Sequence, residues 1–111
     1  MKKTQLGEFE ELVLLAIAVL NDNAYGITVK SELEERLNRS VSIGALQTSL
    51  KRLEDKGFIS SFLGEPTQKR GGKRKRFYQI SKAGFQMLDE VREIRSKLWT
   101  SIPSVVFDLK G

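Results

Sequence analysis

"FISSFLGEPTQKRGGKRKRFYQIS", Phe58 to Ser81, decides how the rest of the chain is read. Its two ends, "FISSFLGE" and "KRFYQIS", are rich in aromatic and β-branched residues, which suit a pleated, half-buried surface. Between them Pro66, Gly71 and Gly72 interrupt any regular element. The stretch therefore reads as two antiparallel strands joined by a hairpin loop. The loop and the returning strand gather Lys69, Arg70, Lys73, Arg74, Lys75 and Arg76 with no acid among them. Like charges at that density repel one another, so an anionic partner is needed to offset the cost. Lys75 and Arg76 fall on the returning strand, where alternation turns one of them to the hairpin's solvent side.

Upstream of the hairpin, "IGALQTSLKRLEDKG" reads as a helix with Ser42 as its N-cap and Gly57 in the left-handed position past its end. Ile43, Leu46, Leu50 and Leu53 share one face, expected to meet the core. The opposite face shows Gly44, Thr48, Lys51, Arg52 and Asp55, with Ala45 and Gln47 at its margins. Its first turns are small or neutral and its later ones basic. A helix entering the major groove of DNA wants that order. Gln47 can pair with an adenine edge, while Lys51 and Arg52 reach phosphates. Most amphipathic helices also carry Lys and Arg outside, so this face alone does not discriminate. The hairpin does, because both features lie in one basic third of the chain.

Charge is distributed accordingly. The chain has 111 residues and a net charge of +5. Residues 1–38 carry −3, residues 39–80 carry +7 and residues 81–111 carry +1. A field confined to one region steers polyanions toward it. There is neither cysteine nor histidine. That excludes disulfides and thiolate metal sites and removes the usual nucleophiles and proton shuttles. The composition points away from an enzyme and calls for no cofactor.

Two helices precede the third. Thr4 to Asn21 is apolar nearly all round from Leu12 onward and is expected to be buried on more than one face. Its apolar run "LVLLAIAVL" is far shorter than the roughly 20 residues a membrane span needs. Acidic "EFEE" before it is not the basic start of a signal peptide. "ITVKSELEERLN" places Val29, Leu33 and Leu37 on one helical face. After the hairpin Ser81 caps a last helix, with Ile80 and Phe85 spaced as a hydrophobic staple and Pro103 as its limit.

The fold class that follows is mostly α with a small β-hairpin. Residues 1–80 form a winged helix–turn–helix, and residues 81–111 a C-terminal dimerisation helix and tail, in one compact unit. In the last helix Met87, Val91, Ile94, Leu98 and Ile102 follow at steps of four, three, four and four, an a/d-like seam. The first helix, through Phe9, Val13 and Ile17, offers more apolar surface than one small core buries. Two such helices suggest an isologous two-fold interface. Trp99, the single tryptophan, has two readings: an interface anchor, its commoner role, or a platform stacking a flat aromatic effector. The tail "SVVFDLKG" is apolar enough to dock, at a place the sequence leaves open.

"GALQTSLKRLEDKGFISS" followed by "GGKRKRFYQISKAG" resembles the PadR-like transcriptional regulators, as does "GITVKSELEE" in the second helix. The likeness covers about Gly7 to Leu88. It implies a bacterial, cytoplasmic winged-helix repressor that binds an inverted-repeat operator in double-stranded DNA as a homodimer. Gly44, Gln47, Thr48, Lys51 and Arg52 match the recognition helix, and Lys69 to Arg76 match the wing. Gln47 stands where many members have Tyr, which changes the base contact expected there. The chain resembles the shorter members, with a single C-terminal helix, and some members bind small-molecule effectors. A reading from another class stays open: an interaction module whose basic loop holds an acidic protein.

Overall fold

The computed structural model of the chain describes residues 6–65 and 74–110. Its elements are α1 (Glu8–Leu20), α2 (Gly26–Leu37), α3 (Ile43–Asp55), β1 (Ile59–Leu63), β2 (Arg76–Ile80), α4 (Lys82–Thr100) and α5 (Ser104–Phe107). Single 3-10 turns follow α1 and α5, at Asn21–Asn23 and Asp108–Lys110.

Local chemistry sets the boundaries. α1 begins later than its apolar pattern suggests, because Gly7 is its N-cap and the Glu10 carboxylate reaches back to accept from the Gly7 N–H at 2.9 Å. In α2, Thr28 Oγ1 accepts from the Tyr25 N–H at 2.9 Å, and Asn38 closes the helix in the left-handed region. The Glu34 carboxylate accepts from Lys30 and from the Val41 N–H, tying α2 to the link before α3. Those contacts, led by the Lys30 hydrogen bond, hold Glu34 below the usual carboxylate range. Ser42 caps α3 by accepting from the Ala45 N–H at 3.2 Å, and Gly57 has φ +81° just past its end. Both features follow from the α3 sequence.

β1 and β2 pair antiparallel, with Ile59 opposite Ile80 and Leu63 opposite Arg76. The other edge of β2 is occupied too. Tyr25 bridges Phe77, and the Tyr78 N–H donates to the Ala24 carbonyl at 2.8 Å. The α1–α2 link thus acts as a minimal third strand and fixes the hairpin to the helical body.

α1 is the central helix, packed against α2, α3, β2 and α4. Its Val13, Leu14, Ala16 and Ile17 enter one core with Val29, Leu33, Leu46, Leu50, Leu53, Phe58, Tyr78 and Leu88. This corrects part of the expected dimer face. Val13 and Ile17 are 0% and 1% exposed within the single chain, and Phe9 and Met87 pack partly against the same core. A helix surrounded by four elements spends most of its circumference inside, so its outward residues are Leu15 and Val19 instead. Ile43 departs from expectation the other way, at 56% exposure, because the first turn of α3 extends past the body that Leu46, Leu50 and Leu53 cover. The staple is not made as the spacing suggests, since Phe85 is exposed while Ile80 packs over Gly84.

Ser81 caps α4 by accepting from the Gly84 N–H at 3.0 Å, and its own hydroxyl donates to the Gly57 carbonyl at 2.7 Å. Gly84 is where α4 crosses the start of β1. A Cβ at this position would collide with the Phe58 carbonyl oxygen. Gly84→Ala is therefore expected to lower stability by about 2 kcal/mol. Forced overpacking costs about 1–3 kcal/mol or more, and alanine's helix propensity returns at most about 1 kcal/mol. Urea midpoints measure this directly, and a variant as stable as its parent would mean that α4 slides freely off Phe58.

Beyond Val91, α4 stays tied to α1 through Arg95 and Glu11, but every residue from Arg92 to Thr100 is exposed. The radius of gyration is 17.0 Å, against about 13 Å for a compact domain near this size. The exposed second half of α4 and α5 account for the excess.

Candidate nucleic-acid interface

α3 is held by its buried face, which leaves Gly44, Ala45, Gln47, Thr48, Lys51, Arg52 and Asp55 outside. Gln47, Thr48, Lys51, Arg52 and Asp55 line one open groove of about 870 Å³, closed on its far side by Tyr78 of β2. The outer surface of the helix and the root of the hairpin therefore share a face. A hydrogen-bonded relay fixes that relation. Arg76 Nη1 donates to Ser61 Oγ at 3.0 Å, and the Ser61 hydroxyl donates to the Glu54 carboxylate at 2.9 Å. One element each from β2, β1 and α3 takes part. Burial pushes the Tyr78 phenol above its ordinary pKa despite the Arg76 charge nearby, so it stays a neutral wall of the groove.

The cations expected to act together divide into groups. Lys51 pairs loosely with Asp55, at 3.5 Å and largely in water, an arrangement worth little and easily exchanged. Arg52 sits at the groove's margin. It also borders a second depression with Gly7, Glu8, Glu10 and Lys56, on the α1 side. Glu10 anchors that side. Burial raises its pKa, but the Lys56 hydrogen bond at 2.7 Å, the Gly7 N–H and the charges of Lys56 and Arg52 bring it below the usual range. In the hairpin Arg74 is exposed. Lys75 lies over the Tyr25 ring, 4.3 Å from its centroid, with Nζ 3.3 Å from the Tyr25 hydroxyl. Arg76 is engaged by Ser61. Lys69, Arg70 and Lys73 lie outside the described residues.

Two residues that position this surface escape a reading of spacing alone. Tyr25 holds Lys75 and meets Phe77 edge-on at 5.3 Å, and Ser61 links Arg76 to α3. Their roles depend on β2 lying between β1 and the α1–α2 link, a long-range pairing that local pattern does not carry. The described residues contain no group of three or more acidic, His or Cys side chains able to hold a metal ion. Among them no helix is long and apolar enough to cross a membrane.

Three helices, a hairpin laid beside the third, and one polar groove between them define a winged-helix protein. The family model of PadR-like transcriptional regulators matches residues 14–90. The chain belongs to that family, whose members are regulators of transcription. No curated protein sequence matches it. Among solved structures, a PadR-like regulator from Bacillus cereus superposes with a TM-score of 0.70 at 22% identity, over 93% of this chain and 92% of that one. A PadR family regulator from Clostridium difficile gives 0.61 at 25% identity, over 93% and 99%. RosR of H. salinarum gives 0.70 at 22% identity, over 95% and 87%.

Proposed function

We propose that this chain is a sequence-specific repressor that binds double-stranded DNA as a homodimer in the bacterial cytoplasm. The observation that carries the reading is the shared groove. A helix face that begins with Gly44 and Gln47 and turns basic at Lys51 lies beside the root of a cationic hairpin. In this reading the first turns of α3 approach base edges, Lys51 and Arg52 hold phosphates, and the hairpin carries Lys69 to Arg74 along the flanking backbone. Lys75 and Arg76 act mainly as fixings that aim the hairpin, since both heads already have partners in the chain.

The dimer rests on surface that a lone protomer leaves uncovered. Leu98 and Trp99 are 66% and 65% exposed, and with Ile94 they form an apolar stripe on the exposed second half of α4. The stripe borders a groove of about 470 Å³ between α1 and α4, lined by Leu15, Ala18, Phe85, Leu88 and Trp99 among others. Fully burying one such side chain contributes about 1.5–3 kcal/mol, and a two-fold axis doubles every contact. Trp99 serves here as an interface anchor.

Affinity for a selected operator, measured against salt, tests the wing. Removing one cation–phosphate pairing lowers the log–log slope by about 0.9, so Lys73→Ala with Arg74→Ala is expected to reduce it by up to ~2 per protomer and up to ~4 for the dimer. An unchanged slope would remove the wing from the mechanism.

A further inference from the structure

The last segment of the chain forms a short apolar piece that the described residues leave exposed. α5 has four residues, well below the length at which a helix holds without packing. Val105, Phe107 and Leu109 are all exposed, Leu109 at 86%. Elsewhere on the surface lies an apolar groove of about 280 Å³ between α1 and α2. Leu12, Val19, Leu33 and Leu37 line it, and the Glu32–Arg36 ion pair sits on its rim. We infer that the tail of one copy, residues 104–110, seats in this groove on a second copy.

The tail does not occupy the groove of its own chain, since Val105, Val106, Phe107 and Leu109 are all exposed. α4 runs back along α1, with Phe85 and Leu88 beside Leu15 and Ala18, and Arg95 donating to Glu11. α4 up to Trp99 therefore runs antiparallel to α1, toward its start. Across the dimer the path is short. Leu15 lines both the α1–α4 groove and the α1–α2 groove, so it forms the ridge between them. A partner's α4 lying against the first needs only to cross that ridge. The ridge is one helix wide, about 10–12 Å, and the seven positions from Trp99 to Val106 span about 10 Å even if helical. Charge agrees with the placement: Asp108 of the tail would meet Arg36 at the rim, while the apolar side chains fill the floor. The groove is then complete only when a partner supplies its lid. This inference rests on the homodimer proposed above.

The absence of cysteine allows a direct test. Two double variants of the full chain, Val106→Cys with Val19→Cys and Val106→Cys with Leu37→Cys, are oxidised mildly. They are run on denaturing gels without reductant, while light scattering gives the native mass. At least one pair is expected to give a band of doubled mass that reductant abolishes. Dimeric mass with neither crosslink would overturn the tail's placement and leave the dimer intact. Monomeric mass would overturn both. Phe107→Asp supplies an independent readout that does not rely on thiol geometry. It is expected to weaken dimerisation roughly tenfold or more, and an unchanged dissociation constant would count against the docking.

Discussion

Ile94→Asp with Leu98→Asp is expected to give a monomer that still folds and whose affinity for the operator falls by about 10²–10⁴-fold, the usual drop when two linked binding events become one. Both side chains are exposed in the protomer and absent from the core around Leu14 and Leu46. Carboxylates there leave the winged-helix body intact but place four like charges in a two-fold seam, where desolvation disfavours each of them. Sedimentation or light scattering reads the mass, circular dichroism the fold, and titration of whole and half operators the affinity. The half-operator comparison is the informative one: a monomer should bind it about as well as the parent does. A variant that remains dimeric at micromolar concentration would place the interface away from α4.

What the sequence made legible, and what it hid, follows from which interactions are local. The α3 boundaries depend on Ser42 and Gly57, each acting within one turn, and both could be read directly. The hairpin followed from composition at its strands and breakers between them. The inward face of α1 could not be read, because an all-round apolar helix has no periodic signal to choose between Val13 and Leu15. Only the packing of α2, α3, β2 and α4 around it decides. Ile43 misled for a related reason: it has the right phase for the core face but lies one turn beyond the core's edge. The candidate site divides along the same line. The outer face of α3 is set by the residues that must be buried. The partners of Lys75 and Arg76 are set by strand order and come from Tyr25 and Ser61, far away in sequence.

Gly44 separates the chain's own needs from those of its ligand. Besides Gly26, which opens α2, two glycines lie inside the first turns of helices, Gly44 in α3 and Gly84 in α4. Gly84 is explained from within, by the Phe58 carbonyl against it. Gly44 is not. A Cβ there would meet only Ser42 Oγ, at 3.6 Å, an ordinary contact. Glycine in a helix costs up to about 1 kcal/mol relative to alanine, so the fold carries this residue at a loss. Under the proposed function the missing side chain is space for the DNA surface against the first turn of α3. Gly44→Ala should then raise stability by up to about 1 kcal/mol, while weakening operator binding. Gly44→Leu should keep the fold and lower affinity about 10- to 100-fold, the equivalent of a steric cost of about 1–3 kcal/mol. The salt slope should barely change in either variant, since no cation is removed. That opposition of signs sets Gly44 apart from any residue that merely supports the helix, whose replacement would lower stability and binding together. Undiminished affinity in Gly44→Leu would mean that DNA does not approach the start of α3, and would move the recognition surface elsewhere.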